Sequence, residues 1–243
     1  MGIAPRAKIL ALASTLAFGL PATSGTFQAA AAQEAPEAAA AAGDGGCPVS
    51  HQGLTKALET AVAKVKSGSN NEMWAVVVNR AGVVCDVAFS GKNRFDQWLL
   101  SRQIAAAKAF TANGLSLDID GSGSGPLSTA QLYPLVQPGG SLFGLAEGNP
   151  LDPTLAYRGP TSRWGTPNDP LIGKRVGGTI TFGGGLGLYR GGDRAVGGLG
   201  LSGDTSCADD EIARRVREDL KLVPSQPDTI SFGPGKNQHP SCG

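Results

Sequence analysis

The sequence lacks the features that most nucleic-acid-binding proteins and common hydrolases carry. Its 21 Lys and Arg residues almost balance its 20 Asp and Glu residues, and no dense basic cluster occurs. A nearly neutral chain without a basic patch is not expected to bind nucleic acid or an anionic membrane. The chain has two histidines, His51 and His239, and neither a GxSxG nor a GxxxxGK[ST] motif. We therefore expect neither a Ser-His-Asp triad nor a P-loop nucleotide site, and predict no catalytic residue.

The apolar stretch near the N-terminus, Ile9 to Leu20, is shorter than the roughly 20 residues that a membrane-spanning helix needs. Two basic residues precede it, and a run of small residues follows it. This layout is typical of a secretory signal, so we predict a signal peptide over residues 1–32, no membrane anchor, and a secreted or periplasmic protein. The alanine-rich residues 33–46 are expected to form a flexible linker, which leaves residues 47–243 as the folded domain.

Cysteine is scarce, and all four cysteines lie in the predicted folded domain. An even number in an exported chain suggests two disulfides, for which three connectivities are possible. We favour Cys47 with Cys85 and Cys207 with Cys242, because each pair would tie a terminal segment to the structured core. A Cys-x3-His and a His-x2-Cys spacing at the two ends of the domain leave zinc as the alternative, which an oxidising compartment disfavours.

Hydrophobic periodicity predicts helices and strands in the first half of the domain. Apolar residues at helical spacing predict a helix over 52–66. Two β-rich runs, 74–78 and 83–89, flank turn residues typical of a hairpin. The next segment, 94–113, is rich in alanine and other helix formers, and Gly114 would cap its end. Residues 115–178 collect prolines and glycines and predict a loop-rich insertion of the kind that lines a site or an interface.

Glycine is abundant, with ten residues between Phe182 and Asp204. Three short strands are predicted here, at 179–182, 186–190 and 195–201. The glycine pair before Asp193 supplies the positive φ angles of a tight hairpin. The other glycines would leave part of the sheet without side chains, and either the alanine-rich helix or a flat ligand could cover that part.

The end of this segment predicts the start of a last helix. Ser206 and Asp209 have the spacing of a capping box, and further acidic residues follow in the first turn.

Three segments together resemble the GlcG/HbpS-like family of haem-binding proteins. They occur in the family's order and are SRQIAAAKAFTAN (101–113), GGTITFGGGLGLY (177–189) and VGGLGLSGDTSCADDEIARRV (196–216). The resemblance covers most of residues 50–222. It implies an α+β, profilin-like fold in which helices flank an antiparallel sheet, assembly into a homo-oligomer, and a small-molecule ligand, haem or a related tetrapyrrole.

A haem ligand requires an axial side chain and cations for its propionates. His51, Tyr133 and Tyr189 are the candidates toward the iron. Arg102 and Lys108 could meet a propionate. Alternatively, the aliphatic stem of Lys108 lies over the alanine face of its helix. The resemblance adds Thr111, which belongs to the helix motif.

The leading hypothesis is therefore an exported haem-binding protein that acts in haem or redox sensing or sequestration. Two alternatives stay open. One is an enzyme that acts on haem or a redox cofactor, and the other is a structural oligomer without a ligand.

Overall fold

A four-stranded antiparallel sheet forms the centre of the domain in the computed structural model, which describes residues 46–95, 97–236 and 238–242. The predicted signal peptide and all but the last residue of the predicted linker lie outside these ranges. The strands are β1 (Trp74–Asn79), β2 (Val84–Phe89), β3 (Gly185–Arg190) and β4 (Arg194–Ser202), in the order β2-β1-β4-β3. The helices are α1 (His51–Lys64), α2 (Ser101–Leu115), α3 (Thr129–Leu132), α4 (Pro153–Ala156) and α5 (Ser206–Asp219). Helices packed against an antiparallel sheet confirm the predicted α+β class.

Both faces of the sheet are covered, which explains why every residue of β1 is buried. Helices α1 and α5 pack on one face through apolar side chains such as Leu58 and Ile212. Helix α2 packs on the other face, together with part of the insertion around Trp164 and Leu171. The sheet therefore separates two apolar cores.

Helix α2 lies directly on the main chain of β4. A Cβ atom on Gly200 would overlap the carbonyl oxygen of Ala105, and one on Gly198 would overlap that of Ala109. Such an approach is available to glycine alone, because it carries no Cβ. The alanine face of α2, one of the two predicted alternatives, thus covers the part of the sheet that has no side chains.

Three predicted helix boundaries are wrong. The second helix begins at Ser101 instead of residue 94, and Gly114 lies inside it, with Ser116 as the C-cap. The apolar side chains just before Ser101, such as Trp98 and Leu100, are more than half exposed, so no packing stabilises an extra helical turn there. In α5 the N-cap is Thr205, whose side chain accepts from the backbone N–H of Ala208, instead of the predicted Ser206.

The predicted strand over 179–182 does not form. The backbone N–H of Ile180 donates to Thr111 Oγ1, and the carbonyl of Phe182 accepts from Thr129 Oγ1. Side chains of α2 and α3 therefore take the hydrogen bonds that a neighbouring strand would use.

The two favoured disulfides are present, Cys47 with Cys85 and Cys207 with Cys242. All four sulfur atoms are thus engaged in covalent bonds instead of zinc coordination. Disulfides are typical of oxidising compartments. Within the described ranges, no helix combines the length and the apolar character needed to cross a membrane.

The contact between α2 and β4 predicts that Gly200→Ala destabilises the protein. The added methyl group must displace the α2 backbone, and overpacking of this kind lowers the free energy of unfolding by about 1–3 kcal/mol. Gly114→Ala is the control, because a Cβ there meets no atom within 4 Å and alanine favours the helix. Urea titration should show a lower midpoint for Gly200→Ala and an unchanged or higher one for Gly114→Ala. Equal midpoints for the two variants would contradict the contact.

Candidate functional site

A buried ion pair joins α2 to the start of α5. Lys108 Nζ donates to Asp209 Oδ2 at 2.6 Å and to the carbonyl of Leu201 at 2.9 Å. Neither side chain is more than 1% exposed, and the ammonium group also lies 4.7 Å from the centre of the Phe182 ring. Burial raises the pKa of Asp209 to about 6 and lowers that of Lys108, although the attraction between the two charges acts in the opposite direction.

The C-terminal tail holds the glycine turn beside this ion pair. The backbone N–H of Gly183 donates to His239 Nε2 at 3.3 Å, and His239 Nδ1 lies 2.9 Å from the carbonyl of Pro240. The imidazole packs between the rings of Tyr133 and Phe232, with centroids 4.8 and 4.7 Å away. His239 thus contacts two aromatic rings and has a neighbour at each nitrogen.

Arg102 fastens the insertion to α2. Its guanidinium donates to both carboxylate oxygens of Asp169, at 2.8 and 2.6 Å, and to the carbonyl of Ala156 at 2.7 Å. The same group lies between the rings of Trp74 and Trp164, 5.0 and 4.7 Å from their centres. This bidentate pair, which is buried, explains why a long loop-rich segment packs closely on the helix.

Thr111 and Tyr189 are also buried, and their hydroxyl groups bind the backbone. Thr111 Oγ1 donates to the carbonyl of Ala107 at 2.7 Å, and Tyr189 Oη donates to that of Leu117 at 2.6 Å. Burial raises the pKa of Tyr189. Thr111 Oγ1 also accepts from the backbone N–H of Ile180, so each hydroxyl joins its helix or strand to a neighbouring segment.

His51 lies on the opposite face of the sheet, at the start of α1. Its Nδ1 donates to Asp86 Oδ1 on β2 at 2.8 Å, and its Nε2 lies 3.5 Å from Thr55 Oγ1. One quarter of the His51 side chain is exposed. The ring borders a cavity of about 360 Å³, here called the His51 cavity, whose lining residues are His51, Gln52, Thr55, Lys56 and Glu59.

Asp86 is a buried carboxylate inside an otherwise largely apolar strand. Its Oδ1 accepts from His51 and from the backbone N–H of Val87, whereas its Oδ2 has no hydrogen-bond partner among the described residues. Burial raises the pKa of Asp86, and the interaction with His51 opposes this shift. A histidine whose Nδ1–H binds a carboxylate is fixed in the tautomer that leaves Nε2 available to a metal.

The six predicted site residues do not form one cluster. Arg102, Lys108 and Thr111 lie on α2 and are buried, and Tyr189 is buried in β3. Tyr133 lies beside the C-terminal tail, and His51 lies on α1 beside its own cavity. Contact of these residues with haem stays a prediction.

Sequence reasoning missed the carboxylates that hold three of these residues. The sequence did indicate that Asp86 is unusual, because it is the one charged residue in the strand sequence VCDVAF. Asp209 was predicted to cap a helix, but its Oδ2 binds Lys108 and its Oδ1 accepts from the N–H of Asp204. Asp169 lies in the insertion, where no periodic pattern indicates which side chains are buried.

Residues 49–218 match the family model described as haem degrading protein HbpS-like, which is well over half of the chain. The chain belongs to the HbpS-like family. No curated protein matches this HbpS-like chain significantly.

Several solved structures are similar to it. A PduOC–haem complex shares 24% identity over 72% of this chain and 94% of that one, with a TM-score of 0.48. Klebsiella pneumoniae protein ORFY shares 22% identity over 72% and 92% of the two chains, with a TM-score of 0.45. HbpS shares 18% identity over 70% and 88%, with a TM-score of 0.43.

The burial of Asp209 predicts an unusual titration. Carbon-13 NMR of the carboxyl carbons should show Asp209 titrating near pH 6. The control is exposed Asp152, whose pKa is lowered by its hydrogen bond to Thr154 and which should titrate below the ordinary value of 3.8. The unfolded chain releases the Asp209 proton near pH 3.8 and the folded chain near pH 6. This carboxyl therefore contributes stability that is fully present below pH 3.8 and is lost as the pH rises through 6. An Asp209 midpoint equal to that of Asp152 would contradict its burial.

Proposed function

We propose that this HbpS-like protein binds haem, with His51 as the axial ligand. The observation that carries the proposal is the imidazole that Asp86 holds through Nδ1 at the edge of an open cavity of about 360 Å³. The lining residues all lie on α1, so a ligand bound here would stay partly exposed to solvent. Membership of a haem-related family supports haem as the ligand.

The remaining side chains of axial-ligand type fit haem less well. Met73 and Tyr189 are fully buried in the core. His239 is 3% exposed, whereas one quarter of the His51 side chain is exposed, and the Nε2 of His239 already accepts from the backbone N–H of Gly183. Tyr157 Oη donates to the carbonyl of Leu99 at 2.7 Å. Among the described residues, Tyr133, which is half-buried beside His239, is the remaining competitor of His51.

Two residues near His51, Asp86 and Lys56, have a defined task in this proposal. Asp86 keeps the proton on Nδ1, so the lone pair of Nε2 is available for iron. Lys56, which also lines the cavity, would place its ammonium group toward a propionate. Bound haem would supply an iron centre able to take up an electron or a small ligand, which suits sensing or sequestration.

We also propose that the protein is exported. The charged and apolar layout of residues 1–32 and the two disulfides, Cys47 with Cys85 and Cys207 with Cys242, both support an oxidising destination.

Self-association is a further part of the proposal. Four large apolar side chains between β2 and α2 are each more than half exposed, namely Phe95, Trp98, Leu99 and Leu100. A concentration of exposed apolar surface of this kind is typical of an interface.

Sedimentation velocity tests the self-association. The protein should sediment as an assembly larger than one chain, and Trp98→Ser with Leu99→Ser should shift it toward the monomer because apolar contact area is lost. Leu117→Ser is the control, since Leu117 is similarly exposed but lies outside the 95–100 segment. A wild-type protein that stays monomeric at all concentrations would exclude the assembly.

Haemin titration tests the ligand and its axial residue. Wild-type protein should give a shifted Soret band, and His51→Ala should weaken haem binding by about tenfold or more, since one coordinate bond and its orientation are lost. Added imidazole should restore the band in His51→Ala, which a merely misfolded variant would not allow. Tyr133→Phe keeps the aromatic ring and should leave the spectrum unchanged.

The outcomes separate the assignments. A spectrum lost in Tyr133→Phe and kept in His51→Ala would move the axial role to Tyr133. No Soret shift at micromolar wild-type protein would remove the haem proposal, and a structural oligomer would then be favoured.

The family description favours one further function, haem degradation. The haem-loaded protein tests it directly. Under ascorbate and oxygen, a degrading protein should lose the Soret band and release iron catalytically, whereas a binding protein should keep most of its haem.

A further inference from the structure

A second cavity lies between residues 46–48 and the hairpin of β3 and β4. Its volume is about 530 Å³, larger than that of the His51 cavity. We call it the arginine cavity, and its lining residues are Gly46, Cys47, Pro48, Arg80, Arg190, Arg194, Ala195 and Val196. Three cationic side chains thus border it, and no carboxylate is among the lining residues.

Two of these arginines are direct cross-strand partners. Arg190 ends β3, Arg194 begins β4, and the two Cα atoms are paired in the sheet register. Like charges directly opposite each other destabilise a strand pair. Within the described ranges, neither guanidinium lies within ion-pair distance of a carboxylate. No carboxylate of the described residues therefore offsets the repulsion between the two arginines.

The acidic side chains on this end of the hairpin bind other groups. Asp193 accepts from the hydroxyl of Ser225, and Asp118 accepts from the backbone N–H of Ala195. Both are exposed, so solvent screens their charge at the arginines.

The third arginine is held in place by uncharged acceptors. Arg80 donates to the carbonyl and the side-chain oxygen of Asn113 and, at 2.8 Å, to the carbonyl of Ser116. These bonds orient the guanidinium but leave its positive charge uncompensated. A cation fixed in advance loses little conformational freedom when a ligand binds.

We propose that the arginine cavity binds a small organic anion with two or more carboxylate or phosphate groups. Guanidinium groups match both kinds of anion through paired hydrogen bonds. Pro48, Ala195, Val196 and the disulfide of Cys47 supply apolar surface for the carbon part of such a ligand. This site is separate from the His51 cavity and does not depend on haem binding.

Calorimetric titration of haem-free protein at low salt tests the proposal, with citrate and inorganic pyrophosphate as probes. At least one probe should bind saturably, and rising salt should weaken its binding. Arg190→Gln with Arg194→Gln should weaken that binding by about tenfold or more, because each lost guanidinium removes a charge-assisted pair. Binding of citrate alone identifies a carboxylate ligand, and binding of pyrophosphate alone identifies a phosphate ligand.

The control removes two positive charges elsewhere. Lys66→Gln with Arg215→Gln changes the net charge equally, on residues outside the arginine cavity, and should bind the probes as the wild type does. Without a probe, the melting temperature of Arg190→Gln with Arg194→Gln should be unchanged or higher, because the repulsion is relieved.

Three results would overturn the proposal. They are no binding of either probe, equal binding by the arginine and control variants, and displacement of the probe by one equivalent of haem. Displacement would assign the cavity to the two propionates of haem. A protein that binds the probe but does not bind haem would contradict only the assignment of His51 as axial ligand.

Discussion

Helix α2 lies on β4 at a distance that only glycine permits, because the carbonyl oxygens of Ala105 and Ala109 occupy the space that side chains at residues 200 and 198 would need. Lys108 thereby reaches past β4 to Asp209, and Arg102 reaches Asp169 in the insertion. Side chains at residues 198 and 200 would push the helix outward and strain both bonds.

Three buried ion pairs then join segments that are distant in sequence. Lys108 binds α5 through Asp209, Arg102 binds the insertion through Asp169, and Arg217 binds the segment after α5 through Asp228. Removing charges from water is costly, and such pairs persist where both partners are well bonded. We infer that they fix where each segment docks more than they add to total stability.

Because of this packing, the predicted site residues lie in separate parts of the domain. The face under α2 is filled by protein, so a flat ligand has no room against the glycines there. His51 and the arginine cavity lie outside that contact, near Cys47 and its disulfide to β2. His51 and the arginine cavity therefore lie away from the family-like motif on α2.

The sequence by itself determined the α+β class, the hairpin of β1 and β2, the helix α1, and the favoured cysteine pairing. The class follows from the resemblance of three segments to the GlcG/HbpS-like family. The hairpin and α1 follow from local periodicity and turn residues, and the favoured pairing follows from the position of each cysteine relative to the core. The helix start near Ser101 and the missing strand at 179–182 could not be predicted, because both depend on what neighbouring segments pack or hydrogen-bond.

The candidate site was predicted only in part, for the same reason. His51 was among the predicted residues, but its suitability as an axial ligand depends on its hydrogen bond to Asp86. Asp86 lies 35 residues away in sequence and becomes a neighbour because α1 packs on β2. Lys108 and Arg102 are residues of the types that often contact anionic ligands. Tertiary structure alone decided that each is buried against a carboxylate. Local sequence specifies which backbone shapes are favourable, whereas the partner of a charged side chain is decided by long-range packing.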